Sequence, residues 1–448
     1  MLHHWRYRVR VIFIFVWGTI LYSSHGHSST VSGRVTLGTY DGIENLSQPS
    51  AGQYTNDVAT VSGRFYLRVS DVGPNKFEFI SDIRDKNDFY GQVDSQDLQL
   101  VNANIFQARQ LSALYPGHTY YTQVGRFPVF EAGPINTDGV LQGVHLSQAS
   151  RVAVFGGLDS KRPEQTFVQY NPDSQVFGTY FSYVHPNLDW GHYFVLDTAA
   201  VTNIVQNLTD RTYWYTSSTY QWNPMSRVSV YSYLDFVPQT YIQSGSINYQ
   251  QGVGKRWLVG LSGITLNVLE YQHLQSVRSL IPSSPYDEAT GKARYTVNPN
   301  WSLELSYSNG LRALDGLRRQ ETLLSSDFLK VFSRHWDLTV GGGYRDNFIS
   351  LDTFGMGRIS YFSDLWELGL DEQFAVENYK TGGFNYHPII SELSVSRTFN
   401  NALYGTFSFQ DVHDERVQIS TVFAKFSYRF GSKEIPPVRD GAPPRGRL

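Results

Sequence analysis

The chain has 448 residues, a formal net charge of -3 and no cysteine. So small a charge, with no Lys/Arg-rich run, argues against nucleic acid as a partner, and the missing thiols exclude disulfides, thiolate metal sites and a lipobox-type lipid anchor. Aromatic residues make up 15% and charged residues 17%, mean hydropathy is -0.32, and no apolar run in the mature region approaches the roughly 18 residues a spanning helix needs.

The first 26 residues stand apart. Arg6, Arg8 and Arg10 precede the apolar run VIFIFVWGTILY at 11–22, and small and polar residues follow. This is the order of a secretory signal peptide, with cleavage expected after Gly26. The apolar run is short for a membrane anchor, and a strand pattern begins at once.

From Val31 onward, segments of about ten residues alternate between apolar and polar. In chain order they fall near 31–40, 58–70, 76–87, 97–110, 117–126, 139–147, 150–157, 175–185, 189–203, 211–222, 225–236, 239–250 and 255–275. The series continues near 290–298, 300–309, 317–332, 335–347, 352–362, 364–377, 387–398, 402–411 and 415–430. In WSLELSYSNG, Trp301, Leu303, Leu305 and Tyr307 share one face and Ser302, Glu304, Ser306 and Ser308 the other. Trp301, Trp336 and Trp366 open strands on the apolar face, and Tyr307 and Tyr344 close them, as interfacial girdles require. Short turns such as NPM, GVGK and NPN alternate with longer links at 41–57, 158–174, 278–291 and 378–387. A strand-only chain can satisfy its backbone in lipid only as a closed barrel. The expected fold is therefore all-β: one transmembrane antiparallel β-barrel of about 18–22 strands over 27–430.

The last strand, ERVQISTVFAKFSYRF, alternates aromatics and ends on Phe430. It resembles the closing strand that outer-membrane barrels present to their assembly machinery, although a further segment follows here. That segment, 431–448, is rich in Pro and Arg and reads as disordered.

Enzyme signatures are missing: no HExxH, GxSxG elbow, Walker A or dinucleotide fingerprint occurs. GVGKRW at 252–257 lies in a two-strand turn. DVHDE at 411–415 clusters Asp411, His413, Asp414 and Glu415 at a hairpin tip, where polar residues are the default. No catalytic residue, metal site or cofactor is expected.

Charges that share the polar face are more informative. Arg34, Arg64, Arg68, Arg126 and Arg151, with Glu78 and Asp82, are expected to point inward in the first third, implying a wet lumen. The stretch GHTYYTQVGRFPVFEAGPINTDGVLQGVHLS, 117–147, breaks its alternation at Phe127 and resumes near Val140. A strand ending in Gly125-Arg126, an apolar link bearing Pro128, Glu131, Pro134 and Asp138, and a new strand opening on Asp-Gly resemble general porins. That resemblance implies a loop folded into the channel, packed by Phe127, Val129, Phe130 and Ile135. It sets Glu131 and Asp138 against a basic wall of Arg64, Arg68, Arg126 and Arg151, which filters solutes by charge and size. The expected function is passive diffusion of small hydrophilic solutes through an outer membrane, with membrane lipid as surroundings and, as in many porins, a homo-oligomer as assembly. A non-conducting barrel with a structural, adhesive or complex-bound role is the alternative, kept open by the bulky polar-face residues Tyr66, Phe155, Tyr404 and Phe423.

Overall fold

The structure, a computed structural model, describes residues 29–48, 52–88, 105–133, 135–159, 174–185, 192–237, 240–267, 285–313, 315–400 and 402–431. The expected signal peptide and the tail beyond Gly431 lie outside them, as does Pro134. The strands in chain order are β1 (Thr30–Gln48), β2 (Gly52–Val72), β3 (Phe77–Asp88), β4 (Ile105–Tyr115), β5 (Tyr120–Val129), β6 (Ile135–His145), β7 (Ser150–Asp159) and β8 (Ser174–Val184). There follow β9 (Tyr193–Val205), β10 (Leu208–Asn223), β11 (Ser226–Val237), β12 (Tyr241–Val253), β13 (Trp257–Leu266), β14 (Tyr286–Asn298), β15 (Trp301–Arg312) and β16 (Arg318–Leu329). The last are β17 (Trp336–Asp346), β18 (Ser350–Phe362), β19 (Trp366–Tyr379), β20 (Asn385–Tyr386), β21 (Ile389–Thr398), β22 (Leu403–His413) and β23 (Val417–Phe430).

Neighbouring strands pair antiparallel, and β1 pairs with β23 from Gly33↔Phe430 to Leu46↔Val417, which closes the sheet on itself. β20 and β21 both lie against β19, at Glu377↔Tyr386 and Phe374↔Ile389, as one interrupted strand. The 23 segments thus make a closed barrel of 22 strands. An even count returns both chain ends to one side, here the terminal end. The longest links, 89–104, 160–173 and 267–285, all join strands at the opposite, distal end.

Alternation gives each strand two chemical faces, and the register aligns them around the barrel. Along β15 to β17 the residues Leu305, Leu324 and Gly342 are aligned partners, as are Tyr307, Thr322 and Tyr344. Leu305, Tyr307, Leu324, Val340, Leu370, Phe374 and Phe426 are all exposed, so the apolar face is the outer one. At the terminal end this face carries ring pairs: Trp257 with Tyr295 at 4.7 Å, Trp301 with Phe328 at 5.7 Å and Trp336 with Tyr361 at 5.1 Å. Arg397 lies 4.7 Å over Trp366 in the same girdle, where an amphipathic pair suits a membrane interface.

Two expected links are strand instead. β1 and β2 remain paired to Gln48↔Gly52, so most of 41–57 extends the barrel wall. The interruption expected from Phe127 to Gly139 is also largely paired: Phe127↔Thr137 and Val129↔Ile135 continue the β5–β6 ladder.

Candidate functional site: the barrel lumen

The inner face divides into a dry arc and a charged arc. In the dry arc, Phe127, Val129, Ala132 and Ile135 of the β5–β6 hairpin pack with Leu141, Phe155, Val176, Val201, Tyr213 and Tyr215. Phe127 and Ala132 are 0% exposed. The register places Tyr180 beside Ala199 and Ala199 beside Tyr215, so these walls all face inward. The 3-10 turn Phe130–Ala132 at the hairpin tip touches β8, β9 and β10.

The tip descends into the barrel. Arg151 donates to the Glu131 carboxylate, although β6 leaves β7 at Thr137↔Asp159. Asp159 lies eight residues distal to Arg151, or roughly 26 Å of strand at ~3.3 Å per residue, so the chain from Thr137 to Glu131 must fold back down the inner wall. The Tyr213 hydroxyl donates to the Ala132 carbonyl at 3.2 Å. Gly133 turns the chain at φ 81, in the left-handed region, and a side chain there would strike Tyr233. Tyr121 and Tyr180 hydroxyls meet at 2.8 Å beneath.

The hinge lies where β4 and β5 part. Their ladder runs only from Tyr115↔Thr122 to Leu111↔Arg126. Gly125 adopts φ 113 there, and a Cβ would lie 2.2 Å from the Leu111 carbonyl oxygen, so only glycine fits the departure. Arg126 pairs with Asp138 at 2.6 and 2.5 Å and donates to the Ala108 carbonyl of β4 at 3.0 Å. The guanidinium therefore staples three strands at this seam.

The charged arc runs over the remaining wall. Arg64 bonds Asp82 at 2.8 and 2.7 Å, and Arg68 bonds Glu78 at 3.0 and 2.7 Å. Their side chains stay 38% and 47% exposed. Further round, Arg345 bonds Glu321 at 2.8 Å, Arg319 joins Glu321 at 2.8 Å and Glu288 at 3.5 Å, and Arg358 approaches Asp371 at 3.6 Å. All these residues alternate with the outer apolar set, so water reaching them occupies the interior.

The sequence-selected residues thus separate into two groups. Arg64, Arg68, Arg151 and Glu131 lie on the inner face. Arg126 and Asp138 are register partners on the face shared by Val124 and Val140, which are exposed to the outside. They bond each other instead of facing across a pore, because Arg126 is the immediate neighbour of the inward Phe127 and so points to the opposite face. The dry arc's Tyr213, Tyr215 and Tyr233 and the buried pair Arg211–Asp235, at 2.8 Å, escaped the sequence reading. Aromatics on both faces of β10 conceal which one meets the hairpin. At the distal rim, Asp414 caps its turn by accepting from the Arg416 and Val417 amides, and Glu415 accepts from the His387 ring at 2.5 Å. Among the described residues no group of three His, Cys, Asp or Glu side chains is arranged to hold a metal ion.

No protein-family model and no curated protein matches the chain. Among solved structures, a BenF-like porin from Pseudomonas fluorescens Pf-5 is similar at 11% identity and a TM-score of 0.45, over 90% of this chain and 99% of that one. Acinetobacter baumannii OccAB4 is similar at 8% identity and 0.43, over 90% and 98%. Pseudomonas aeruginosa OpdQ is similar at 8% and 0.42, over 90% and 98%. At these values the likeness assigns no function to this chain, and what the barrel does is read from its own walls.

Proposed function

We propose that this protein is a passive channel of the bacterial outer membrane that passes small hydrophilic solutes and carries out no catalysis. The carrying observation is the pair of faces: an apolar band outside, and partly exposed arginines paired with more deeply buried carboxylates inside. A wall of that kind is stable only with lipid on one side and water on the other. A barrel of 22 strands is wide, and the inward hairpin reduces it to a passage along the charged arc. Arg64, Arg68, Arg151 and Glu131 line that passage and set its charge preference. Planar-bilayer recording tests this reading. Stepwise current is expected, and insertion without current would defeat it.

The dry arc favours a second reading, in which the docked hairpin blocks flow and the barrel serves as a membrane scaffold. Removing the hairpin's anchors separates the two. A channel conducts before the change and more after it, whereas a scaffold conducts only after it.

A further inference from the structure

Some outer-face glycines are roofed by the protein's own rings. A Cβ on Gly33 would meet Phe430 at 2.4 Å, one on Gly156 would meet Phe177 at 2.6 Å, and one on Gly355 would meet Phe374 at 2.2 Å. Other outer-face glycines, among them Gly63, Gly291 and Gly357, leave room for a side chain, and Gly245 and Gly263 belong to this second group and lie diagonally adjacent on β12 and β13. An added Cβ would find nothing nearer than 3.4 Å at either, and neither has a positive φ. The fold does not require glycine at these two places, and glycine weakens a strand interior, where it often marks the close approach of a ligand. Together with Ala289 they floor a shallow, open groove of 620 Å³ on the outer face. Val230, Ile242, Ile247 and Leu311 wall it and are all exposed.

The groove is mostly apolar, with the hydroxyls of Ser232 and Thr265 among its lining, and its charged end is lined by Asp287, Asn309 and Arg318. Asp287, Leu311 and Arg318 are successive register partners across β14, β15 and β16, so the charged end lies at the distal strand ends. Arg318 is exposed there. We propose that this groove binds one acyl chain of a phosphorylated glycolipid of the outer leaflet. The chain lies over Gly245 and Gly263, Arg318 meets a phosphate, and Asp287 and Asn309 meet sugar hydroxyls. A guanidinium beside a carboxylate and an amide matches an anionic sugar phosphate, and an apolar trough of glycine width matches a single alkyl chain. The inference rests on the outer-membrane reading for the identity of the leaflet, but not on conduction.

Native mass spectrometry of the full-length mature protein tests it, with diphosphoryl lipid A and phosphatidylethanolamine as competing probes. One retained lipid A molecule per barrel is expected, in preference to phosphatidylethanolamine. Gly263→Phe and, separately, Gly245→Leu fill the groove and should lower lipid A occupancy by about tenfold or more through lost alkyl contact. Arg318→Glu should lower it while leaving phosphatidylethanolamine binding unchanged. Heat-modifiable gel mobility reports that each variant still closes its barrel, and planar-bilayer conductance, which should not change, tests the channel reading independently. Equal retention of both lipids, lipid A occupancy insensitive to both groove-filling variants, or a dimer mass lost in Gly263→Phe would overturn the proposal.

Discussion

Phe127→Ala should release the hairpin tip and enlarge the passage. Phe127 is 0% exposed within the dry arc, and truncating a fully buried Phe to Ala costs roughly 3–5 kcal/mol. The hydrogen-bonded wall closes through β1 and β23 without help from this side chain, so the loss falls chiefly on docking of the tip against β8–β10. At about 1.4 kcal/mol per factor of ten, the undocked population rises roughly 100- to 4,000-fold. Single-channel recording in planar bilayers should then show larger steps with flicker between docked and undocked levels. Val140→Ala, on the outer face of the same hairpin, should leave the trace unchanged. If Phe127→Ala inserts with unaltered heat-modifiable mobility and a conductance and noise identical to the parent protein, the docked tip does not control the passage.

Further consequences follow from individual contacts. Arg68→Glu should shift the reversal potential in a salt gradient toward cations, whereas Arg126→Glu should leave it unmoved and instead lower the barrel's heat-modification temperature, by setting two carboxylates together at the β4–β5 seam. A selectivity change in Arg126→Glu alone would contradict the outward placement of that side chain. Asp235→Ala removes both hydrogen bonds that Arg211, whose side chain is 7% exposed, donates to that carboxylate, and should destabilise the wall by ~3–5 kcal/mol, read as an earlier urea transition; an unchanged midpoint would refute the pairing. The Glu415 carboxylate, in the 414–416 rim turn, is lowered to about 2 by its bonds from the His387 ring and amide. A depressed carboxylate keeps its favourable contact above its ordinary value near 4.5 and loses it as pH falls through the folded value, so the rim clasp should persist through pH 4.5 and open toward pH 2. Carboxylate-selective NMR should place the Glu415 midpoint near 2, and His387→Ala should return it toward 4.5; a midpoint indifferent to that substitution would exclude the clasp.

The barrel itself was legible because lipid and water impose opposite demands on adjacent residues. WSLELSYSNG states its period without ambiguity, and the alternation carries the register of β15. The length of β1 and β2 was not legible. Asp41, Asn45 and Asn56 read as loop residues, yet backbone pairing can continue past the apolar belt, where the side chains need no lipid. The hairpin tip was only half legible. Phe127, Val129 and Ile135 were expected to pack inside, and they do, but both faces of that stretch are apolar enough to hide its strand pairing. Arg126 shows a sharper limit. Its alternation with Val124 already set it on the outer face, while its charge suggested the lumen; the Asp138 and Ala108 contacts resolve that conflict by burying the guanidinium in a seam between strands. Nothing in the local pattern signals a seam, because it depends on β4 and β5 parting beyond Gly125. Arg64 and Arg68 needed no such contact, since their strands stay fully paired and leave them one side to occupy.

The most direct test of the channel reading is single-channel current from purified, refolded protein in a planar bilayer under a salt gradient. The proposed function predicts discrete conductance steps and a reversal potential that moves toward cations in Arg68→Glu. Parent protein that inserts as a heat-modifiable barrel but carries no steps, whether or not the Phe127→Ala form conducts, would contradict it.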